Sequence, residues 1–303
     1  MEKSVLTISS HVIHGYVGNK AIVFPLQIKG WEVDNLNTVN YSNHTGYGIF
    51  KGSVISNELL KKLLDSPPSS FLITGYLPNS SVVDQLKDYL LNNHRVYLLD
   101  PILGDEGQLY VDPSCVDSYR ELLNEVKVDI ITPNHFELEL LTDSKIQDHD
   151  QLILAIENLK RKIKFVVITS YQVGEFIYCL VAAQGNESIK GFKIPIIDGY
   201  FTGVGDLFTA LLIDKLYDSY YTDLENKDAL ESLCKAVNQV LSIMEKVLHH
   251  TFNTGLSKNN GKHPNMGTLE IGKFELNLIE AVPLFESTEE NFEVFDFHEL
   301  KLD

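Results

Sequence analysis

Short runs of β-branched and apolar residues alternate along the chain with longer stretches whose apolar positions recur every three or four residues. That is the pattern of parallel strands joined by crossover helices. Residues 5–8 read as a first strand. After a polar turn containing Gly15 and Gly18, residues 19–29 read as a helix that Gly30 is placed to end. Residues 33–39 form a second strand, and the amphipathic stretch NELLKKLLD a helix stopped by Pro67 and Pro68. Strands follow at 71–74, 95–100, 128–132, 165–169 and 176–182. Helices are expected at 82–92, at HFELELL with Thr132 or Asn134 as cap, and at 152–162, 206–217 and 229–249. Residues 251–266, rich in Asn, Gly and Lys, read as a loop (251–267 at its widest); 274–284 regain apolar character, and 286–303 form an acidic, Phe-containing tail. No internal repeat or compositional break divides the chain, so residues 1–303 are expected to form one large α/β domain, a central mostly parallel sheet with helices on both faces.

Strand after strand ends in small polar or acidic residues: Ser9 and Ser10, Thr74 to Tyr76, Asp100, Thr132 to Asn134, Thr169 and Ser170. Each ending alone is ordinary turn chemistry. Together they sketch a rim at the carboxyl ends of the strands, where open parallel sheets bind their ligands.

Composition narrows the ligand. Apolar residues make up 44% of the 303 and charged residues 22%, enough to build a sizeable core. The net charge of -17 disfavours a nucleic-acid backbone as partner, but not a small phosphate held by backbone N–H groups, a few cations and a divalent ion. The three cysteines are far apart, without a CxxC pair, which points to a reducing compartment. The first residues lack the apolar core of a signal peptide, and no run approaches the roughly 18 residues of a membrane span. A soluble intracellular protein is the expectation.

The common nucleotide fingerprints are missing: no GxxxxGK[ST] follows a strand, and the first βα turn reads GYVG rather than GxGxxG. GxSxG and HExxH are absent as well. His249 and His250 are adjacent, so they point about 100° apart on a helix and suit its C-terminal dipole better than a shared metal. The sharpest local signal is Gly203-Val204-Gly205-Asp206 before the apolar helix LFTALLIDKL. Such glycines let backbone N–H groups converge on an oxyanion or a transferring phosphoryl group, with Asp206 beside them as a candidate general base. A plain loop with Asp206 as N-cap is the competing reading. A second signal is a spaced set of carboxylates, Asp100 and Asp105 in LLDPILGDEG and Glu137 beside Asn134, suited to a hard cation that shares its shell with phosphate and water. Turn acidity and a helix-dipole contact by Glu137 would explain the same residues. A third is the polar loop Ser42 to Tyr47, whose hydroxyls and imidazole could bind a polar ring while Tyr41 and Tyr76 stack on it; a plain surface turn has the same composition.

These residues also carry a resemblance. The run SSHVIHGYVGNKAIVFPLQIKGWEVDNLNTVNYSNHTGYGIFKG resembles the amino-terminal signature of pyridoxal kinases, and LLDPILGDEGQLYV, DIITPNHFELELL, VVITS and FTGVGDLFTALL follow in that family's order. The resemblance covers most of residues 4–250 and implies a ribokinase-like fold with ATP-dependent phosphorylation of the hydroxymethyl group of pyridoxal, pyridoxine or pyridoxamine. By the same resemblance, Ser10, Val17, Tyr41, His44, Thr45 and Tyr76 would bind the vitamer. Asp105, Tyr110, Asn134, Thr169 and Ser170 would meet ATP, together with Gly203 and Gly205. Asp100, Thr132 and Glu137 would organise a divalent cation, Mg²⁺ or Zn²⁺, helped by a monovalent ion such as K⁺. Gly203, Val204 and Gly205 would form the anion hole and Asp206 would take the substrate proton. Val204 stands where many relatives have Thr, which removes a hydroxyl but keeps the backbone N–H, so activity is expected to survive. The resemblance also implies a homodimer acting on small molecules; the cysteines, charge and lack of an apolar span make the cytoplasm the expected compartment, with the nucleus also open, and neither nucleic acid nor membrane an expected partner. A hydroxymethylpyrimidine kinase and a non-catalytic pyridoxal-binding protein of the same fold are the alternatives.

Overall fold

The continuous apolar runs become the centre of one sheet because strands covered on both faces need no polar side. The computed structural model describes residues 2–93, 95–222 and 229–299. In chain order its elements are β1 (Ser4–Val12), α1 (Asn19–Ile28), β2 (Glu32–Tyr41), β3 (Gly52–Val54), α2 (Asn57–Leu64), β4 (Phe71–Thr74), α3 (Ser80–Leu90) and β5 (Val96–Leu99). A small hairpin of β6 (Gly104–Asp105) and β7 (Gln108–Leu109) precedes α4 (Ser114–Glu125), β8 (Ile130–Ile131), α5 (His135–Thr142) and α6 (His149–Lys160). Then come β9 (Phe165–Val173), β10 (Phe176–Ala183), β11 (Ile189–Pro195), α7 (Val204–Thr222), α8 (Ala229–Lys258) and β12 (Val294–Asp296).

Among the described residues the main sheet has ten strands in the order β12-β11-β10-β9-β8-β5-β4-β1-β2-β3. The run from β9 to β2 is parallel; β3 closes one edge antiparallel, and β10, β11 and β12 the other. Alternate residues of one strand serve opposite layers: Phe71 and Ile73 face the cluster packed by α1, α7 and α8, while Leu72 faces the cluster packed by α2 to α6. β1 sends its crossover to β2 on one side while β4 lies on the other, so the strand order reverses there and a crevice opens beyond the carboxyl ends of β1 and β4.

Two stretches fold otherwise than the sequence pattern predicts. Residues 251–258, read as loop, continue α8 to Lys258. Helix is favoured there because tertiary contacts outweigh weak local propensity. Buried Thr251 accepts a hydrogen bond from Asn277 N–H at 3.2 Å, and a Cβ on Gly255 would fall 2.3 Å from the Phe274 ring, so only glycine admits that packing. The helix stops where Asn260 and Gly261 take positive φ and Gly261 N–H reaches the Leu256 carbonyl at 2.7 Å. His249 and His250 therefore lie well inside α8 instead of at its negative end, and His250 pairs with Glu280 at 2.5 Å. The acidic tail supplies β12: Val294, Phe295 and Asp296 pair with Phe192, Gly191 and Lys190 of β11. Lys190 and Asp296 meet at 3.0 Å, and the Phe297 ring is fully buried, stacked on His149. Residues 300–303 of that tail lie outside the described residues. Helix α4 and strands β3 and β11 carry patterns the sequence reading passes over.

Candidate active site

Four chain segments converge at the crevice, and glycines set how closely. Gly18, with φ of 56°, puts its α-carbon where a Cβ would lie 2.1 Å from the Ser10 carbonyl oxygen and 2.3 Å from Ser10 Oγ. Gly203, with φ of 77°, runs so close to the 15–18 loop that a Cβ would fall 2.1 Å from the Tyr16 carbonyl oxygen. These are left-handed conformations that glycine adopts without steric cost. Gly203 precedes α7, whose first-turn amides have no helical acceptor and face outward as donors to an anion.

Asp206 stands inside that first turn, because α7 begins at Val204; it is not the N-cap. Its carboxylate is buried. Oδ2 accepts a hydrogen bond from Gly18 N–H at 2.7 Å, and Oδ1 has no partner among the described residues. Burial raises its pKa to about 6, with the Gly18 N–H pulling the other way. A fixed carboxylate with one idle oxygen, titrating near neutrality and set against helix-terminal donors, is suited to accept a proton from an alcohol.

Asp100 follows β5 directly. A Cβ on Gly205 would come 3.4 Å from its Oδ2, so this carboxylate sits against the first turn of α7. Burial pushes Asp100 well above the usual carboxylate range, and the charges of Glu137 and Asp206 push the same way. The buried Thr132 hydroxyl lies close enough to favour the Asp100 charge but lacks a hydrogen bond of good geometry. Glu137 is committed differently. Asn134 and Glu137 form a capping box at the start of α5, each side chain accepting the other's backbone N–H at 2.9 Å. The remaining oxygen of Glu137 accepts from Leu103 N–H at 2.9 Å and Gly104 N–H at 3.4 Å, and Asn134 Nδ2 donates to the Gly104 carbonyl at 2.8 Å. The box thus fastens the hairpin carrying Asp105 and leading to Tyr110. Burial raises the Glu137 carboxyl against these backbone bonds.

The orphaned Thr132 and Asp206 oxygens beside mutually repelling buried carboxylates fit a hard cation that takes few protein ligands and completes its shell with phosphate and water. Among the described residues no three acidic, His or Cys side chains form a ready cage.

On the other wall, Ser10 and Val17 approach Asp206 through Gly18. Ser9 Oγ accepts from Tyr76 N–H at 3.1 Å, and Thr38 Oγ1 donates to the Tyr76 carbonyl at 2.7 Å, which plants Tyr76 beside β1. Burial raises the Tyr76 phenol to about 12, so it stays neutral, and its hydroxyl reaches the Tyr110 carbonyl at 3.5 Å. Tyr41 packs on Phe50 with ring centroids 4.9 Å apart. The 42–47 loop is less plain than its composition: His44 is buried and caps a short 3-10 turn, Thr45–Tyr47, whereas Thr45 is exposed. Thr169 tethers β9 to the loop after β8 through its N–H, 3.0 Å from the Pro133 carbonyl, and Ser170 follows half-buried. Asp105 is exposed on the hairpin, its carboxylate accepting from Glu106 N–H at 2.9 Å. Sequence reasoning missed Glu275, which gathers His44, Tyr47 and Tyr16 from a segment with no motif to flag it.

The comparisons with known proteins bear on this geometry. Residues 37–251 match the family model described as phosphomethylpyrimidine kinase. A Saccharomyces cerevisiae protein named a putative pyridoxal kinase is 41% identical, over 93% of this chain and 95% of its own. The chain belongs to the pyridoxal kinase family. The pyridoxal kinase of Arabidopsis thaliana is 37% identical over 88% of this chain and 87% of its own. The structure of the Leishmania donovani pyridoxal kinase in complex with ADP and pyridoxine superposes with a TM-score of 0.80 at 29% identity, covering 97% of this chain and 99% of that one. The sheet and its two helical layers are accordingly the ribokinase-like fold of pyridoxal kinases.

Proposed function

We propose that the protein transfers the terminal phosphoryl group of ATP to the hydroxymethyl oxygen of pyridoxal, and of pyridoxine and pyridoxamine, giving the 5'-phosphates. The observation that carries this reading is the idle, buried Oδ1 of Asp206 beside the first turn of α7. The acceptor ring lies against Ser10, Val17, Tyr41, Thr45 and Tyr76, with its hydroxymethyl group toward Asp206. Asp206 takes the alcohol proton as the new bond forms, when that proton becomes acidic. The N–H groups of residues 203–205 hold the transferring group, and the hairpin with Asp105 and Tyr110 covers the phosphates with Thr169 and Ser170 beside the nucleotide. Asp100 and the Thr132 hydroxyl would hold a divalent cation, Mg²⁺ or Zn²⁺, with Glu137 shaping the loop around it; such a cation neutralises phosphate charge, and K⁺ would assist. His44 is better read as support for Thr45 than as a ring contact, since both its nitrogens are engaged.

We further propose a cytoplasmic homodimer, with the nucleus also open to it. The exposed Ile49, Phe50 and Val54 beside the unpaired edge of β3 support the dimer. The three buried, unpaired cysteines support the reducing compartment. The match to a phosphomethylpyrimidine kinase model keeps a hydroxymethylpyrimidine substrate as the second reading. Side-by-side turnover with ATP, Mg²⁺ and K⁺ tests both: pyridoxal is expected to be the preferred acceptor by kcat/KM, and preference for hydroxymethylpyrimidine would reverse the assignment. Saturable pyridoxal binding without phosphorylation of either would leave only a binding protein.

A further inference from the structure

Glu275 follows a short 3-10 turn, Leu269–Phe274, far along the chain from every acceptor residue, yet its side chain is 10% exposed and its hydrogen bonds and ion pair reach Tyr16, His44 and Tyr47, in the two loops that border the acceptor site. Oε2 accepts from Tyr16 N–H at 3.0 Å; Oε1 accepts from Tyr47 OH at 2.8 Å and lies 3.1 Å from His44 Nε2. Tyr16 and His44 are the chain neighbours of Val17 and Thr45, which belong to two different loops. One carboxylate thus fastens both walls of the acceptor pocket, each by the residue just before the one that meets the ring.

The surroundings are shaped for this contact. A Cβ on Gly15 would lie 2.5 Å from the Glu275 carboxylate, so glycine is what lets the carboxylate reach the main chain. Gly46 N–H donates to His44 Nδ1 at 3.2 Å, which leaves Nε2 to carry the ring proton and point it at Glu275, with Thr202 Oγ1 3.2 Å from the same nitrogen. Burial pushes the Glu275 carboxyl upward, but bonds from His44, the Tyr16 N–H and Tyr47 outweigh it and hold the group below its ordinary value, as befits a carboxylate working as a fixed acceptor.

We infer that Glu275 is a positioning residue for the acceptor alcohol, acting through Tyr16 and His44 on the placement of Val17 and Thr45. This rests on the kinase reading and adds a determinant of acceptor recognition to it. Glu275→Gln keeps the size but must turn an NH₂ toward either the Tyr16 N–H or the His44 and Tyr47 donors, so one loop is released. The expected result is a fall of about 10- to 100-fold in kcat/KM for pyridoxal, seen chiefly in KM, while KM for ATP stays within about twofold. Unchanged pyridoxal parameters would overturn the inference, as would parallel losses for ATP and pyridoxal with a collapsed Tm, the mark of a general structural role. Tyr47→Phe, which removes one O–H facing Glu275, provides the milder probe. A raised pyridoxal KM at unchanged Tm and ATP KM supports the inference, and an unchanged pyridoxal KM counts against it. Wild-type turnover separates the two levels: an inactive wild type removes the kinase reading and this inference together, whereas an active wild type with an indifferent Glu275→Gln removes only the latter.

Discussion

Asp206 carries two opposed demands. The fold has to bury a carboxylate that would be more stable in water, and the chemistry proposed above has to find it ionised. Its pKa rises from an ordinary carboxylate value to about 6, so the folded state binds a proton more tightly than the unfolded one. Stability is then lost as pH rises from the unfolded pKa through about 6. Asp206→Asn is therefore expected to be more stable than wild type at pH 7–8 by about 2–3 kcal/mol, and so to unfold at higher temperature, with the difference fading toward pH 4. Thermal unfolding of the nucleotide-free proteins across that range checks the sign; a less stable variant at pH 8 would mean that the carboxylate is not strained there. Glycines give a second residue-level comparison. Gly203→Ala combines positive φ with a clash against the Tyr16 carbonyl and should lower kcat at least about 100-fold, because the anion hole shifts. Gly30→Ala has a similar φ but meets nothing within 4 Å among the described residues, so it should cost about 1 kcal/mol of stability and leave kcat unchanged. Equal activities for the two variants would deny the anion hole its role.

Among the elements, legibility followed how local the determining forces were. The strands β4 and β5 were readable because FLIT and VYLL are continuous apolar runs bounded by polar turns, and α5 was readable because Asn134 and Glu137 form a box within four residues. The strand-end rim was readable for the same reason: Asp100, Thr132 and Asn134 each end a visible run. The last turns of α8 were not readable, because Gly255 is kept helical by the Phe274 ring some twenty residues on. Nor was β12, whose register depends on Gly191 leaving room for the Phe295 ring. Glu275 was invisible because its partners lie in loops more than two hundred residues away. Phe297→Ala tests the tail as an element. Emptying a fully buried aromatic site should lower stability by about 3–5 kcal/mol without changing kcat or either KM. A neutral effect on Tm would mean that the tail is not docked in solution.

Across the whole molecule, a protein with net charge -17 concentrates buried carboxylates where it must receive polyphosphate. On the proposed reading a cation that arrives with the nucleotide offsets this charge, while the sheet and its two apolar layers supply the fold. EDTA should thus leave Tm within about a degree of its starting value while abolishing turnover, and Mg²⁺ with ATP should raise Tm by mass action. A drop of several degrees with EDTA alone would reveal a structural ion. The proposed chemistry turns on the Asp206 carboxylate taking the proton of the acceptor alcohol. Its most direct test is a single-turnover measurement of pyridoxal phosphate formation by wild type and Asp206→Asn, alongside equilibrium binding of pyridoxal and ATP. The variant is expected to bind both ligands and to form product at least about 1,000-fold more slowly; product formation at the wild-type rate would rule out Asp206 as the base.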